Sequence, residues 1–173
     1  MEQITAVGAP EDTLDLQRLM EEHGDSLLRT CVLYLKDAAL AEDAVQDTFL
    51  RAMGAWKTFR GECSERTFLV RIAINVCKSY LRSPWHRRRV PPQAMDTLST
   101  PAPQAPDDTL PRAIMALPVK YREVVILYYY QEFKAYEIAQ LLHISVSTVT
   151  VRLSRARKAL REELKGWYYD EEK

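Results

Sequence analysis

Apolar residues along this chain recur at spacings of three and four, the beat of helices with one buried face. The clearest case is ISVSTVTVRLSRARKAL, Ile144 to Leu160. Val146, Val149, Leu153, Ala156 and Leu160 form an apolar stripe. At 3.6 residues per turn the opposite face carries Ser147, Val151, Ser154, Arg155 and Lys158. Thr148 and Arg152 lie on one flank, Thr150 and Arg157 on the other. Ser145 stands where an N-cap belongs, its hydroxyl able to take up an orphaned amide of the first turn. Upstream, KAYEIAQLLHIS predicts a second amphipathic helix with Ile138, Ala139, Leu141 and Leu142 inward. Two helices joined by a tight turn, the second one basic, is the helix-turn-helix pattern. His143 occupies the turn position that often carries Gly; if that position needs positive φ, His tolerates it better than a β-branched residue.

In the first half, LAEDAVQDTFLRAMGAW predicts a helix with Val45, Phe49, Ala52, Met53 and Trp56 inward. Asp43, Gln46, Asp47 and Leu50 face outward, and Leu50 on that acidic face hints at a partner. After a loop at Gly61, a helix starting at Ser64 or Glu65 turns Leu69, Ile72, Ala73, Val76 and Tyr80 inward. Its outer side shows Arg71, Asn75, Lys78 and Arg82, and Trp56, Phe59 and Phe68 flank the loop. Cations beside aromatics suit single-stranded DNA, where bases stack and phosphates pair; Trp56 and Phe68 equally fit plain core positions. VVILYYY (Val124–Tyr130) is the one β-prone stretch. Glu123, Val124, Leu127 and Tyr128 fit one helical face, so it reads as a buried helix.

Ser83 to Pro111 holds seven of the nine prolines and few large apolar residues, the composition of an extended linker. The expected fold class is all-α: two small helical domains, residues 14–83 and 112–166, joined by a flexible Pro-rich linker, 84–111. Domains that small have thin cores.

Net charge is zero, but its distribution is uneven. Residues 1–50 hold three Lys/Arg against eleven Asp/Glu, residues 51–89 ten against two, and residues 133–165 seven against three. Two basic blocks are masked in the sum by an acidic first third, as in a protein that touches an anionic polymer at two places and a basic partner elsewhere. The basic run WHRRR (Trp85–Arg89) extends the first block. Three cysteines without CxxC spacing read as reduced and free of metal. No run approaches the roughly 18 apolar residues of a membrane span, and no signal peptide is evident, so a cytoplasmic location is expected. The three histidines stand far apart and no Gly-rich phosphate loop exists, so no catalytic set, cofactor or metal site is expected.

Taken in order, LAEDAVQDTFLRA, FRGECSERTFLVRIAINVCKSYLR, a linker, and LPVKYREVVILYYYQEFKAYEIAQLLHISVSTVTVRLSRARKALRE resemble a bacterial extracytoplasmic-function sigma factor of the sigma-70 family. The resemblance covers residues of about 14–165, and two motif blocks in the right order make it specific. It implies that the first domain is similar to sigma region 2 and the second to region 4. Asp43, Gln46, Asp47 and Leu50 would then bind the clamp coiled coil of the largest subunit of core RNA polymerase. Arg60, Ser64, Arg66, Thr67, Arg71, Asn75 and Lys78 would serve the −10 element, with the Arg60–Glu65 loop capturing a flipped base. Ser147, Thr148, Val151, Arg152, Ser154, Arg155 and Lys158 would read or hold the −35 element of promoter DNA, while region 4 also packs on the β flap. The family often has Lys-Ser where this chain has Thr150–Val151, which puts an apolar side chain at the DNA face and suggests contact with a thymine methyl. The linker would thread polymerase near the RNA exit path. Such systems are usually governed by an anti-sigma factor, often membrane-bound, which would hold the protein at the membrane; no small-molecule substrate is implied. The tail GWYYDEEK goes beyond the common pattern and reads as frayed. A lone helix-turn-helix repressor would explain residues 133–160 but leave the first domain idle. An adaptor role would leave the basic face of 147–158 unexplained.

Overall fold

The computed structural model describes residues 14–89 and 108–170, except the side chains of 87–89 and 166–170. Most of the expected linker, and the end of the tail, fall outside these residues. Helix α1 (Leu16–Leu35) opens on Asp15, whose carboxylate accepts the Arg18 amide at 3.0 Å, and closes on Lys36 at φ 61°. Asp37 caps α2 (Ala38–Ala55) in the same way at Leu40. A 3₁₀ turn (Trp56–Thr58) leads to α3 (Glu65–Arg82) and the short α4 (Pro84–Arg89). The second half contains α5 (Thr109–Ala116), α6 (Val119–Val125), a π-helical turn (Ile126–Tyr130), α7 (Ala135–Leu142) and α8 (Val146–Asp170). No strand occurs among the described residues, so the all-α expectation holds.

Three inward assignments need correction. VVILYYY is helical, but it widens from α to π at Ile126. A π turn shifts the register of the residues beyond it, so Val124 to Leu127 are buried while Tyr128 turns outward. On α2, Phe49 and Ala52 are buried, but Met53 is 48% exposed and Val45 and Trp56 are only half-buried. The buried face is instead Leu40, Ala41, Ala44, Thr48, Phe49 and Ala52. Its small alanines let α1 approach, and the Thr48 hydroxyl is spent on the Ala44 carbonyl at 2.7 Å. On α8, Val149, Leu153 and Ala156 are buried, whereas Val146, at the helix's first position, is exposed.

The two halves pack on each other. Helix α1 lies against α5, α6 and the π turn as well as against α2 and α3. Leu27, Cys31 and Tyr34 thus share one apolar cluster with Ile114, Val124 and Leu127. A polar seam runs beside it. The Arg122 guanidinium is buried and donates to the carbonyls of Tyr34 (2.8 Å), Met115 (3.0 Å) and Leu117 (3.1 Å). Gln131 is buried too, and its amide donates to Thr30 Oγ1 at 2.7 Å and Ser26 Oγ at 2.9 Å. Each half has a thin core, and packing together enlarges both.

Candidate nucleic-acid and partner surfaces

The outer face of α2 presents Asp43, Gln46 and Leu50 to solvent, and Leu50 is 64% exposed. Met53, one turn on, extends the apolar spot, so an acidic face carries an exposed hydrophobic ridge. Asp47 is half-buried because the Tyr80 hydroxyl of α3 donates to it. Burial and that carboxylate push the Tyr80 phenol well above its ordinary pKa. Asp47 therefore ties α2 to α3.

Trp56, Phe59 and Phe68 stack as a trio, with centroids 4.7–5.9 Å apart. Beside them a cavity of about 540 Å³ is lined by Trp56, Lys57, Phe59, Arg60 and Gly61. Gly61 sits at φ +70°, a conformation that disfavours a side chain. Ser64 caps α3 by accepting the Thr67 amide at 3.1 Å, and the two hydroxyls share a 2.9 Å bond. Arg60, Arg71 and Asn75 are exposed. Arg66 and Lys78 point elsewhere, toward the second half: Arg66 Nε donates to Gln131 at 3.3 Å and its guanidinium lies over the Phe133 ring, while Lys78 Nζ is 3.6 Å from Glu123. In WHRRR, His86 stacks on Tyr80 at 4.1 Å, and the side chains of Arg87 to Arg89 lie outside the described residues.

In the second half, His143 ends α7 at φ 55°, the left-handed turn its position asked for. Ser145 accepts the Thr148 amide at 3.1 Å and so starts α8. Ser147, Val151, Ser154, Arg155 and Lys158 are exposed along one face. A shallow cavity of about 280 Å³ joins Ser147, Thr148, Val151, Arg152 and Arg155 to Lys120 and Tyr121. Lys120 and Tyr121, from the first turn of α6, belong to this surface although their sequence neighbourhood did not mark them; an adjacent cation and aromatic were the available signal. The Arg155 guanidinium beside the Tyr121 phenol holds that phenol below its ordinary pKa. Arg152 departs from the open face: its Nη1 lies 3.1 Å from Glu123. On another side of α8, Leu110, Val125, Tyr129, Leu160 and Leu164 line an apolar groove of about 680 Å³ rimmed by Arg157, Arg161 and Lys165.

Known families match both halves, the one with cations and a stacking trio and the one with a basic helix-turn-helix. The family described as "Sigma-70 region 2" matches residues 19–88, and "Sigma-70, region 4" matches residues 107–160. The RNA polymerase sigma-H factor of Pseudomonas aeruginosa is 30% identical over 87% of this chain and 85% of its own length. The chain belongs to the sigma-70 family of RNA polymerase sigma factors. It is also similar to the ECF RNA polymerase sigma factor SigW of Bacillus subtilis, 29% identical over 85% of this chain and 87% of that one. The "Probable RNA polymerase sigma factor RfaY" of Xanthomonas campestris is 34% identical over 75% of this chain, which spans 35% of that protein. Among solved structures, the sigma factor RpoE of Bartonella quintana, crystallised with the anti-sigma factor NepR, superposes with a TM-score of 0.72 at 24% identity, over 88% of this chain and 98% of that one.

In this sigma factor Glu22, His23 and Glu65 lie close enough to suggest a metal site. Arg18 already takes the carboxylates, at 3.0 Å to Glu22 and 2.7 Å to Glu65, and that pairing holds Glu65 below its ordinary pKa. A cation would have to displace a guanidinium. Cys31 and Cys77 are buried free thiols with sulfurs 3.6 Å apart. Among the described residues, no helix is long and apolar enough to cross a membrane.

Proposed function

We propose that this sigma factor binds core RNA polymerase through α2, opens the −10 element with the loop and α3, and reads the −35 element with α8. The observation that carries this is the exposed Leu50–Met53 ridge that continues the row of Asp43 and Gln46 along α2. A simple repressor has no use for it, whereas a polymerase clamp does. Arg60, Arg71 and Asn75 hold the −10 strand's phosphates, and the Trp56–Phe59–Phe68 trio supports a flipped base in the cavity at Arg60. Flipping costs a few kcal/mol, which stacking in a shaped pocket offsets. Ser64 and Thr67 start the recognition segment and present hydroxyls at its edge.

On the second half, Ser147, Val151, Ser154 and Arg155 meet base edges, and Thr148 and Lys158 approach phosphates. Lys120 and Tyr121 widen that contact. Arg66, Lys78 and Arg152 join once they leave Glu123 and Gln131. The apolar groove along Leu160 and Leu164 takes the β flap of polymerase. The protein works in the cytoplasm, under an anti-sigma factor; the structural relative captured with NepR illustrates that arrangement for RpoE. Residues 14–83 form the polymerase and −10 unit, and 112–166 the −35 unit.

The test is holoenzyme formation. Fluorescently labelled protein titrated with sigma-free core polymerase should show tight binding, and Asp43→Ala with Leu50→Ala should weaken it at least tenfold, about 1.4 kcal/mol. No binding by the wild-type chain, with tight binding to promoter-region duplex alone, would leave a repressor.

A further inference from the structure

Tyr121 stands in the first turn of α6, half-buried, with its ring packed against the core. Its amide donates to the Pro118 carbonyl at 2.9 Å, so the backbone beneath the ring is held too. Two cations bracket the side chain. Lys120 Nζ lies over the ring, 5.1 Å from its centroid. The Arg155 guanidinium, from α8, lies beside the phenol. All three line the shallow cavity of about 280 Å³ between α6 and α8, together with Ser147, Thr148 and Val151. Among the described residues, none that lines this cavity is acidic. Cations and hydroxyls around one apolar side chain suit an anion next to a base edge.

The bracket joins unlike partners. Lys120 and Arg155 are exposed, and long exposed side chains sample many rotamers. Tyr121 is anchored in the core and does not. Pairing with guanine requires the guanidinium plane to line up with the base edge, and an arginine that is free beforehand loses rotamers when it pairs. A phenol oxygen fixed beside the guanidinium accepts from one side of the fork and leaves the other N–H groups for DNA.

We propose that the first turn of α6 is a specificity-determining part of the −35 contact, in which Tyr121 is a positioning residue that aims Arg155 at its base and Lys120 holds a neighbouring backbone phosphate. This rests on the −35 role given to α8 above. Base edges form the floor of the major groove and phosphates its rims, so with α8 on the floor α6 begins at a rim. There the Lys120 ammonium acts as a point charge and fixes the register of the strand that Arg155 reads.

The experiment uses the full chain and a library of short duplexes of random sequence at low salt, where phosphate contacts are strongest. Sequencing the bound duplexes gives base preference, and titration of the preferred duplex at several salt concentrations gives the salt slope. Arg155→Ala identifies the base position that Arg155 reads. Tyr121→Phe keeps the ring on the core and deletes the hydroxyl. It should lower discrimination at that position about threefold to tenfold, the worth of immobilising one long side chain. Added to Arg155→Ala it should cause no further loss there, because a positioning residue acts only through the side chain it positions. Lys120→Gln should reduce the salt slope by about one, and Lys120→Arg should restore it. Full discrimination in Tyr121→Phe, where Arg155→Ala has lost it, overturns the proposal and leaves the −35 reading standing. So does a Tyr121→Phe loss that is equally large without Arg155, or an unchanged salt slope in Lys120→Gln. Wild-type preferences in Arg155→Ala would overturn the proposal and the −35 role of Arg155 together.

Discussion

The hydroxyl of Tyr34 donates a 3.0 Å hydrogen bond to the carboxylate of Glu123, across 89 positions of sequence and the seam between the two halves. Both side chains are buried, and burial together with that carboxylate pushes the phenol far above its ordinary pKa, so it stays a donor at any physiological pH. Tyr34→Phe keeps the ring and deletes the bond. It should cost about 1 kcal/mol in urea unfolding. Because the halves share one cluster, the wild type should unfold in a single transition by far-ultraviolet circular dichroism.

Arg155 and Lys158 occupy the same face of α8 but should fail differently. Arg155→Ala should relax base preference at one position of the −35 element by about 1–3 kcal/mol. Lys158→Ala should weaken all duplexes alike and reduce the salt slope by about one. Val151→Ser should reduce preference for a thymine, since its side chain is 47% exposed on the same face of α8. Competition binding across single-base variants reads all three, and unchanged thymine preference contradicts the Val151 contact.

Phe59 stacks between Trp56 and Phe68 at the mouth of the loop cavity. Phe59→Ala should weaken holoenzyme binding to a −10 non-template oligonucleotide by about 1–3 kcal/mol. Binding to a −35 duplex should stay unchanged. Equal losses on both probes would mean the trio is only core.

Arg18 joins α1 to the first turn of α3 through Glu65. Glu65 titrates below its unfolded value, its guanidinium hydrogen bond being the leading cause. The contribution is therefore complete above the unfolded carboxylate range, about pH 4.3, and disappears as pH falls through the lowered folded value. Thermal melts of wild type and Glu65→Gln should differ at neutral pH and converge in acid. A gap that persists in strong acid would contradict the pairing.

Much of this was legible in the sequence because it is local. The turn at His143, the cap at Ser145, the five exposed positions of α8 and the outer face of α2 follow from spacing and cap chemistry alone. The misplaced residues depend on what lies outside their own helix. Met53 matched the apolar period of α2, but burial there is decided by where α1 and α3 cover it. Tyr128 was displaced by a π turn that no pattern of three and four announces. Lys78 and Arg152 sit correctly on polar helix faces, yet their partner, Glu123, comes from another helix 45 and 29 positions away. The spacing put Glu123 on one helical face with Val124 and Leu127, but only the packing of the halves makes it a hub. The cation and aromatic of Lys120 and Tyr121 gained meaning only when α6 came to rest beside α8.

Run-off transcription tests the central claim most directly. Purified protein would be added to sigma-free core polymerase with genomic fragments that include its own upstream region. Discrete transcripts are expected, and they should vanish when Asp43, Gln46 and Leu50 are changed to Ala while circular dichroism stays that of the wild type. An absence of specific transcripts, with the wild-type chain folded and binding duplex DNA tightly by itself, would contradict the account.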